Sequence, residues 1–384
     1  MLNLNIKSFK CFREADIPLN NLTIFAGANG NGKSTAIQAL LLLRRTIEHC
    51  AKWENNRFNM DELNGLNVEL NGPYCLNLGN SAYIISADSG ANTIFLGISS
   101  EDNVFGVTYN INEGKELWIT PITPFTNKFA DNPLCYHEFY YLNAERIGPR
   151  LSQEIHFYDY YNVGYKGEYT AQIISDLNYD FKVDEKRVNK EFKIGSRFIH
   201  HVNAWLNYIL SGVSIDCHYD EKTHTARVEV ENSYSKGSPV APTNTGFGIS
   251  YVLPIIVSGL IAKEDRFLIV ENPEAHLHPS AQSKIGYFLG VIANSGVRVI
   301  LETHSDHVIN GIQLAVAKKR INHNAITINF FSVDDDINSE TNKNQPEIKS
   351  IGITKVGDLI DWPKGFFDQS QIDYSLLIKQ RINV

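Results

Sequence analysis

Two short runs hold the residues whose types and spacing can do chemistry: GANGNGKST at 27–35 and VENPEAHLHP at 270–279. The first fits GxxxxGK[ST] at every fixed position, with Gly27, Gly32, Lys33 and Ser34. In such a loop the glycines let backbone N–H groups converge on phosphate oxygens, and the helix that follows adds partial positive charge. The lysine reaches the outer phosphates, and the hydroxyl can ligate magnesium. Ala28, Asn29, Gly30, Asn31 and Thr35 complete the expected cradle. A glycine turn before a helix is the plainer alternative. The flanks favour phosphate binding, because an apolar run, NLTIFAG, precedes the loop and a helical pattern, STAIQALLLLRRTIEHCAK, follows it.

In the second run four apolar residues, FLIV, end at Glu271. A buried strand there would deliver a carboxylate to the C-terminal edge of a sheet, where Ser34 and magnesium are expected, so Ser34 and Glu271 form the predicted metal pair. The next position is Asn272, where two acidic residues side by side would be ordinary. An amide can orient a water but cannot take its proton, and general-base help is worth roughly 10² to 10⁴ in rate. Two readings stand for Glu274: a substitute base, or a solvated residue ahead of a helix. VILETHSDH at 299–307 places His304 just beyond another buried strand, where it can report a bound γ-phosphate; a satisfied histidine at a strand end is the alternative. His276 and His278 alternate before Pro279 without a cage of cysteines or carboxylates, a weak case for a metal.

The elements that must position these residues follow from pattern. Residues 1–26 predict two strands, and short alternating segments from about 66 to 142 (AYIISAD, TIFLGIS, FGVTYNI, ELWITPI) predict an antiparallel meander. The stretch 151–243 contains a helical candidate, KEFKIGSRFIHHVNAWLNYILSG, and reads as an inserted, mainly helical second lobe. From 246 onward helices and buried strands alternate as in a parallel α/β core. The expected division is therefore 1–150, the first part of a nucleotide-binding lobe; 151–243, the insertion; 244–333, its second part; and 334–384, a polar loop and short C-terminal module. At 384 residues, two lobes or a core with a large insertion are expected. A net charge of −8 leaves room only for a local basic groove. Five scattered cysteines without a CxxC pair suggest reduced thiols, and no run is long enough for a membrane helix. A cytoplasmic protein without a membrane partner is expected.

Together, GANGNGKST, NTGFGISYVLPII at 244–256, ENPEAHLHP and ETHSDHVINGI resemble the ABC-type ATPases of the RecF, SMC and overcoming-lysogenization-defect group, many of which serve bacterial anti-phage defence. YLNAERIGPR at 141–150 and DWPKGFFDQ at 361–369 resemble one compact subfamily. The resemblance implies an α/β fold, a P-loop NTPase of ABC-ATPase type with an antiparallel β subdomain and the inserted lobe. It implies ATP and Mg²⁺ as cofactors, and a homodimer in which each P-loop faces the partner's signature segment. Here that segment is NTGFGIS: Gly246 and Gly248 would permit backbone approach to the γ-phosphate, and Ser250 or Asn244 would donate a hydrogen bond. Arg146 would either couple nucleotide state to lobe movement or form a structural salt bridge.

The leading expectation is an ATP-driven dimer switch controlling a separate effector, a nuclease or toxin, with slow turnover because of Asn272. The alternative is a RecF/SMC-like DNA repair or chromosome-maintenance clamp; for DNA contact only KKR at 318–320 offers a basic cluster. A transporter motor is disfavoured by HLHP and the large meander. A scaffold that barely hydrolyses stays open.

Overall fold

The computed structural model describes every residue except 88–89, 102, 112–113, 127–131, 193–194, 196, 236, 334–344 and 383–384. In chain order the strands are β1 (Leu2–Phe9), β2 (Phe12–Leu19), β3 (Leu22–Gly27), β4 (Ala51–Glu54), β5 (Arg57–Leu63), β6 (Val68–Glu69), β7 (Thr93–Ser100), β8 (Asn103–Asn110), β9 (Trp118–Thr126), β10 (Tyr140–Leu142), β11 (Gln153–Glu154), β12 (Val213–Asp220), β13 (Thr225–Asn232), β14 (Phe267–Glu271), β15 (Arg298–Glu302), β16 (Ile326–Ser332) and β17 (Glu347–Ile351). The α-helices are α1 (Lys33–Cys50), α2 (Ser81–Ile84), α3 (Thr170–Leu177), α4 (Phe198–Ile209), α5 (Phe247–Ile261), α6 (Pro279–Asn294), α7 (Asp306–Ala317) and α8 (Gln369–Ile382).

Strands β10, β14, β15, β3, β16 and β17 form the central sheet in that order. The first five are parallel, and β17 closes the edge antiparallel to β16. Parallel strands buried on both faces read as apolar runs, and alternation then sends neighbouring side chains to opposite cores. Leu268, Val270, Val299 and Leu301 face the core shared with α5, α6 and α7. Phe267, Ile269 and Ile300 face the core that holds α1 and the second sheet, β2-β1-β7-β8-β9-β6. Helix α1 thus lies against strands of both sheets.

The first 26 residues make three strands where two were expected, because Ser8 and Lys10 adopt positive φ (57° and 51°) and turn the chain between β1 and β2. The AYIISAD segment, read as a strand, contains the one-turn helix α2, started by Asn80, whose side chain accepts the Ala82 N–H. The 151–243 stretch supplies α3, α4 and the sheet β11-β13-β12. Its Ile173, Trp205 and Val230 enter the same core as Ile255 and Phe288, with the Trp205 and Phe288 rings 4.9 Å apart. Of the polar loop expected over 334–348, residues 334–344 lie outside the described residues, and β17 begins at Glu347.

Helices α6 and α7 follow β14 and β15, so their packing fixes the two strand-end loops against each other. That packing is backbone on backbone. A Cβ added at Gly311 would lie 1.8 Å from the Ser283 carbonyl oxygen, and one at Gly286 would lie 2.1 Å from that of Val308. Gly311→Ala therefore sets a helix-propensity gain of roughly 1 kcal/mol against forced separation of the pair. The expected net result is a loss of about 2 kcal/mol in unfolding free energy by urea titration, in the usual range for overpacking. A stabilised variant would contradict this packing.

Candidate functional site

Strand β3 runs into the 27–34 loop through Gly27, at φ 134°, where an added Cβ would sit 2.2 Å from the Phe331 carbonyl oxygen of β16. Only glycine fits. Gly32, at φ 93°, caps α1 with no side-chain hydrogen bond, leaving the first-turn N–H groups of an 18-residue helix for a ligand. The Lys33 ammonium, 3% exposed, folds back to donate to the carbonyl oxygens of Gly27 at 3.0 Å and Ala28 at 2.8 Å. Asn31 is tied to the Phe331 carbonyl. Asn29, Gly30, Gly32, Lys33, Ser34 and Thr35 line a cleft of about 360 Å³. Its opposite wall is Ala144, Glu271, Asn272, Glu302 and His304.

Glu271 reaches the sheet edge as expected, but the carboxylate that meets Ser34 is Glu302. Ser34 Oγ donates to Glu302 at 3.0 and 3.1 Å, to Oε1 and Oε2. The strand order explains this, since β15 lies between β14 and β3 and Glu302 pairs in register with Glu271. Glu302 was not singled out in the sequence. The signal was there: an acid closing the buried apolar run VIL. Glu271 Oε1 accepts the Tyr141 hydroxyl at 2.8 Å. Burial raises the Glu271 pKa. Burial, then the neighbouring Glu271 charge, pushes Glu302 up to about 7 against the pull of Lys33 and Ser34.

Asn272 sits in the cleft wall with φ 44°, held by its N–H to the Glu302 carbonyl at 2.9 Å. Its side-chain oxygen is buried without a protein partner. Glu274 is neither a solvated residue nor part of the cleft lining. Its Oε2 accepts the Thr303 hydroxyl at 2.8 Å and its Oε1 accepts the His304 N–H at 2.7 Å, so both oxygens strap the β15 end. Burial raises its pKa. His304 is exposed at the cleft, its pKa lowered by partial desolvation and then by Lys33. Arg146 makes no ion pair among the described residues. It donates to the carbonyls of Asn143 at 3.0 Å, Glu271 at 2.7 Å and Asn272 at 2.6 Å, with its guanidinium 5.1 Å from the centre of the Tyr251 ring on α5. Desolvation lowers its pKa to about 10.

Within one chain, the structure does not bring the predicted signature residues to this cleft. Gly246 caps α5 without a side-chain hydrogen bond and with Gly248 lines a separate groove beside His278, Ser280 and Lys284. Ser250 lines a third, smaller pocket with Arg150. His276 packs against the Tyr251 ring at 4.5 Å, and His278 Nδ1 accepts the Ser280 N–H to start α6. No cluster of three His, Cys, Asp or Glu able to hold a metal occurs among the described residues. The oxygen set of Ser34, Glu302 and Glu271 fits magnesium, which takes one or two carboxylates and leaves its other positions to phosphate and water.

The family described as AAA ATPase domain matches residues 1–207. The family described as AAA domain, putative AbiEii toxin, Type IV TA system matches residues 128–310. The family described as Protein of unknown function (DUF3696) matches residues 321–377. No curated protein matches. Among solved structures, the Smc head bound to the C-winged helix domain of ScpA is 11% identical at a TM-score of 0.50, over 92% of this chain and 98% of that one. The Smc head domain with an extended coiled coil, bound to the C-terminal domain of ScpA derived from Pyrococcus furiosus, is 11% identical at 0.50 over 100% of both chains. The fold is that of the SMC-head P-loop ATPases. Among the described residues no helix is long and apolar enough to cross a membrane.

The raised Glu302 pKa sets a pH dependence. The folded chain holds this proton up to about pH 7, whereas an ordinary carboxyl releases it near 4.5. The folded state therefore binds more protons in that window, and stability falls as pH rises through it. Relative to Glu302→Gln, the wild type should lose about 2 to 3 kcal/mol of unfolding free energy between pH 4.5 and 7. Parallel stability curves for the two proteins would show that Glu302 ionises normally.

Proposed function

Because the chain belongs to the AAA ATPase domain family, as an ABC-type, SMC-like ATPase, we propose that it is a nucleotide-gated dimer switch that binds magnesium ATP and turns it over slowly. The observation that carries this reading is the separation of two half-sites. Lys33 and Ser34 line one cleft, while the bare N-terminus of α5 at Gly246 lies exposed in another groove. An added Cβ at Gly246 would meet nothing within 4 Å, so a second chain's phosphates can approach its backbone. A P-loop covers one side of a γ-phosphate; Gly246 and Gly248 of a partner would cover the other.

On binding, Lys33 exchanges its two loop carbonyls for phosphate oxygens. Asn272 faces the attacking water with an amide that orients but takes no proton, and Glu274 is committed to Thr303 and His304. Slow chemistry follows from both. His304, exposed at the cleft, would sense the γ-phosphate. In this reading 1–150 and 244–333 form the nucleotide-binding lobe, 151–243 the inserted lobe, and 334–384 the C-terminal module. The motif resemblance carries the reading of bacterial anti-phage defence, with the dimer controlling a separate nuclease or toxin in the cytoplasm, and the match of 128–310 to a family described as a putative AbiEii toxin of a Type IV TA system supports the link to a toxin. Likeness to Smc heads supports a second reading, a clamp for DNA repair or chromosome maintenance. The net charge of −8 weighs against an extensive DNA-binding face.

Light scattering with Mg²⁺-ATP should report a dimer, and Lys33→Ala a monomer under the same conditions. Turnover of the isolated protein should lie well below the ~10 per second typical of enzymes. A wild type that stays monomeric with saturating ATP, or that hydrolyses rapidly alone, contradicts the switch.

A further inference from the structure

We infer that the carboxylate holding magnesium beside Ser34 is Glu302 on β15, and that Glu271, the acid closing β14, takes a supporting place. This inference rests on the reading of the cleft as a magnesium-nucleotide site and assigns the residue that holds the ion there.

The first argument is reach. Strands in a sheet lie roughly 4.8 Å apart, so an acid on the strand adjacent to the phosphate-binding strand starts one spacing away, and one on the next strand starts two away. Glu302 is on the adjacent strand, and Glu271, its register partner, is on the next. The second is engagement. Glu271 spends Oε1 on the Tyr141 hydroxyl at 2.8 Å, and that hydroxyl is itself fixed by the Asn143 amide at 2.8 Å. Both oxygens of Glu302 instead lie within reach of Ser34 Oγ, at 3.0 and 3.1 Å. The third is fit. An octahedral magnesium with bonds of about 2.1 Å has neighbouring ligands about 3.0 Å apart, the separation already present between Ser34 and Glu302. Both side chains can take the ion with little movement: the serine hydroxyl turns its hydrogen away from the carboxylate. The metal role expected of the acid closing β14 thereby passes to its register partner on the neighbouring strand.

Glu271 supports from behind. Its backbone carbonyl accepts Arg146 at 2.7 Å, and its side chain is anchored to β10 through Tyr141. A dication at Ser34 and Glu302 would also relieve the mutual repulsion of the two neighbouring carboxylates.

The test is fluorescent-ATP binding to the full chain, titrated with Mg²⁺, for wild type, Glu302→Gln, Glu302→Asp and Glu271→Gln, each with a thermal melt to confirm folding. Glu302→Gln should raise the Mg²⁺ concentration for half-maximal effect at least tenfold while metal-free nucleotide binding is kept or strengthened. Glu302→Asp should recover most of that shift, and Glu271→Gln should move it less than threefold. A tenfold shift in Glu271→Gln with none in Glu302→Gln overturns the assignment. So does a Glu302→Gln protein that loses only turnover and keeps wild-type Mg²⁺ dependence. If the wild type itself shows no Mg²⁺-dependent nucleotide binding, the ATPase reading fails and takes the assignment with it.

Discussion

The parallel, in-register ladder of β3, β15 and β14 decides where the cleft can form. Parallel strands that share a register finish at one edge, so Gly27, Glu302 and Glu271 are delivered together although they are far apart in sequence. Each strand then passes into a loop and a helix: α1 from β3, α6 from β14 and α7 from β15. The cleft is the gap outside those ends, the place where an open α/β sheet has room for a ligand.

Holding that edge together calls for polar groups inside a dry core, and the chain satisfies them with carbonyls more than with ion pairs. Arg146 binds three carbonyls and stacks near Tyr251. Tyr251 in turn packs on His276, so the end of β14, the turn after it and the first turns of α5 are one packed unit. The exposed α5 N-terminus at Gly246 and the cleft-facing Asn272 are therefore connected through contiguous contacts. Glu274 does the same for the end of β15, fixing Thr303 and the His304 backbone. Removing either strap would leave buried donors or acceptors unpaired, a cost of about 1 to 3 kcal/mol for each.

The electrostatics of the cleft describe a site short of positive charge. Lys33 is turned onto its own loop, and Glu302 and Glu271 both sit above the ordinary carboxylate range because burial disfavours their charged forms. In the proposed reading, magnesium would supply positive charge for the carboxylates, and the phosphates would draw Lys33 outward. On that reading, nucleotide and metal would complement different halves of the same cleft.

Much of this was legible from the chain alone. A phosphate loop needs glycines at fixed positions because backbone N–H groups do the binding, so GANGNGKST identifies itself. Apolar runs ending in acids identify buried strands, and β14 and β15 appear where FLIV and VIL predict them. Local rules failed where local chemistry competed: positive φ at Ser8 and Lys10 made an extra turn, and Asn80 started a helix in an apolar stretch. Whether Glu274 faced solvent, and whether Arg146 found a carboxylate, depended on packing partners many residues away. So did the pairing of Ser34 with Glu302 rather than Glu271. A sequence fixes which residues end each strand, because side-chain alternation and turn chemistry are local. The order of strands across a sheet is a long-range outcome of helix packing on its two faces, and that order alone put β15 beside β3 and Glu302 beside Ser34.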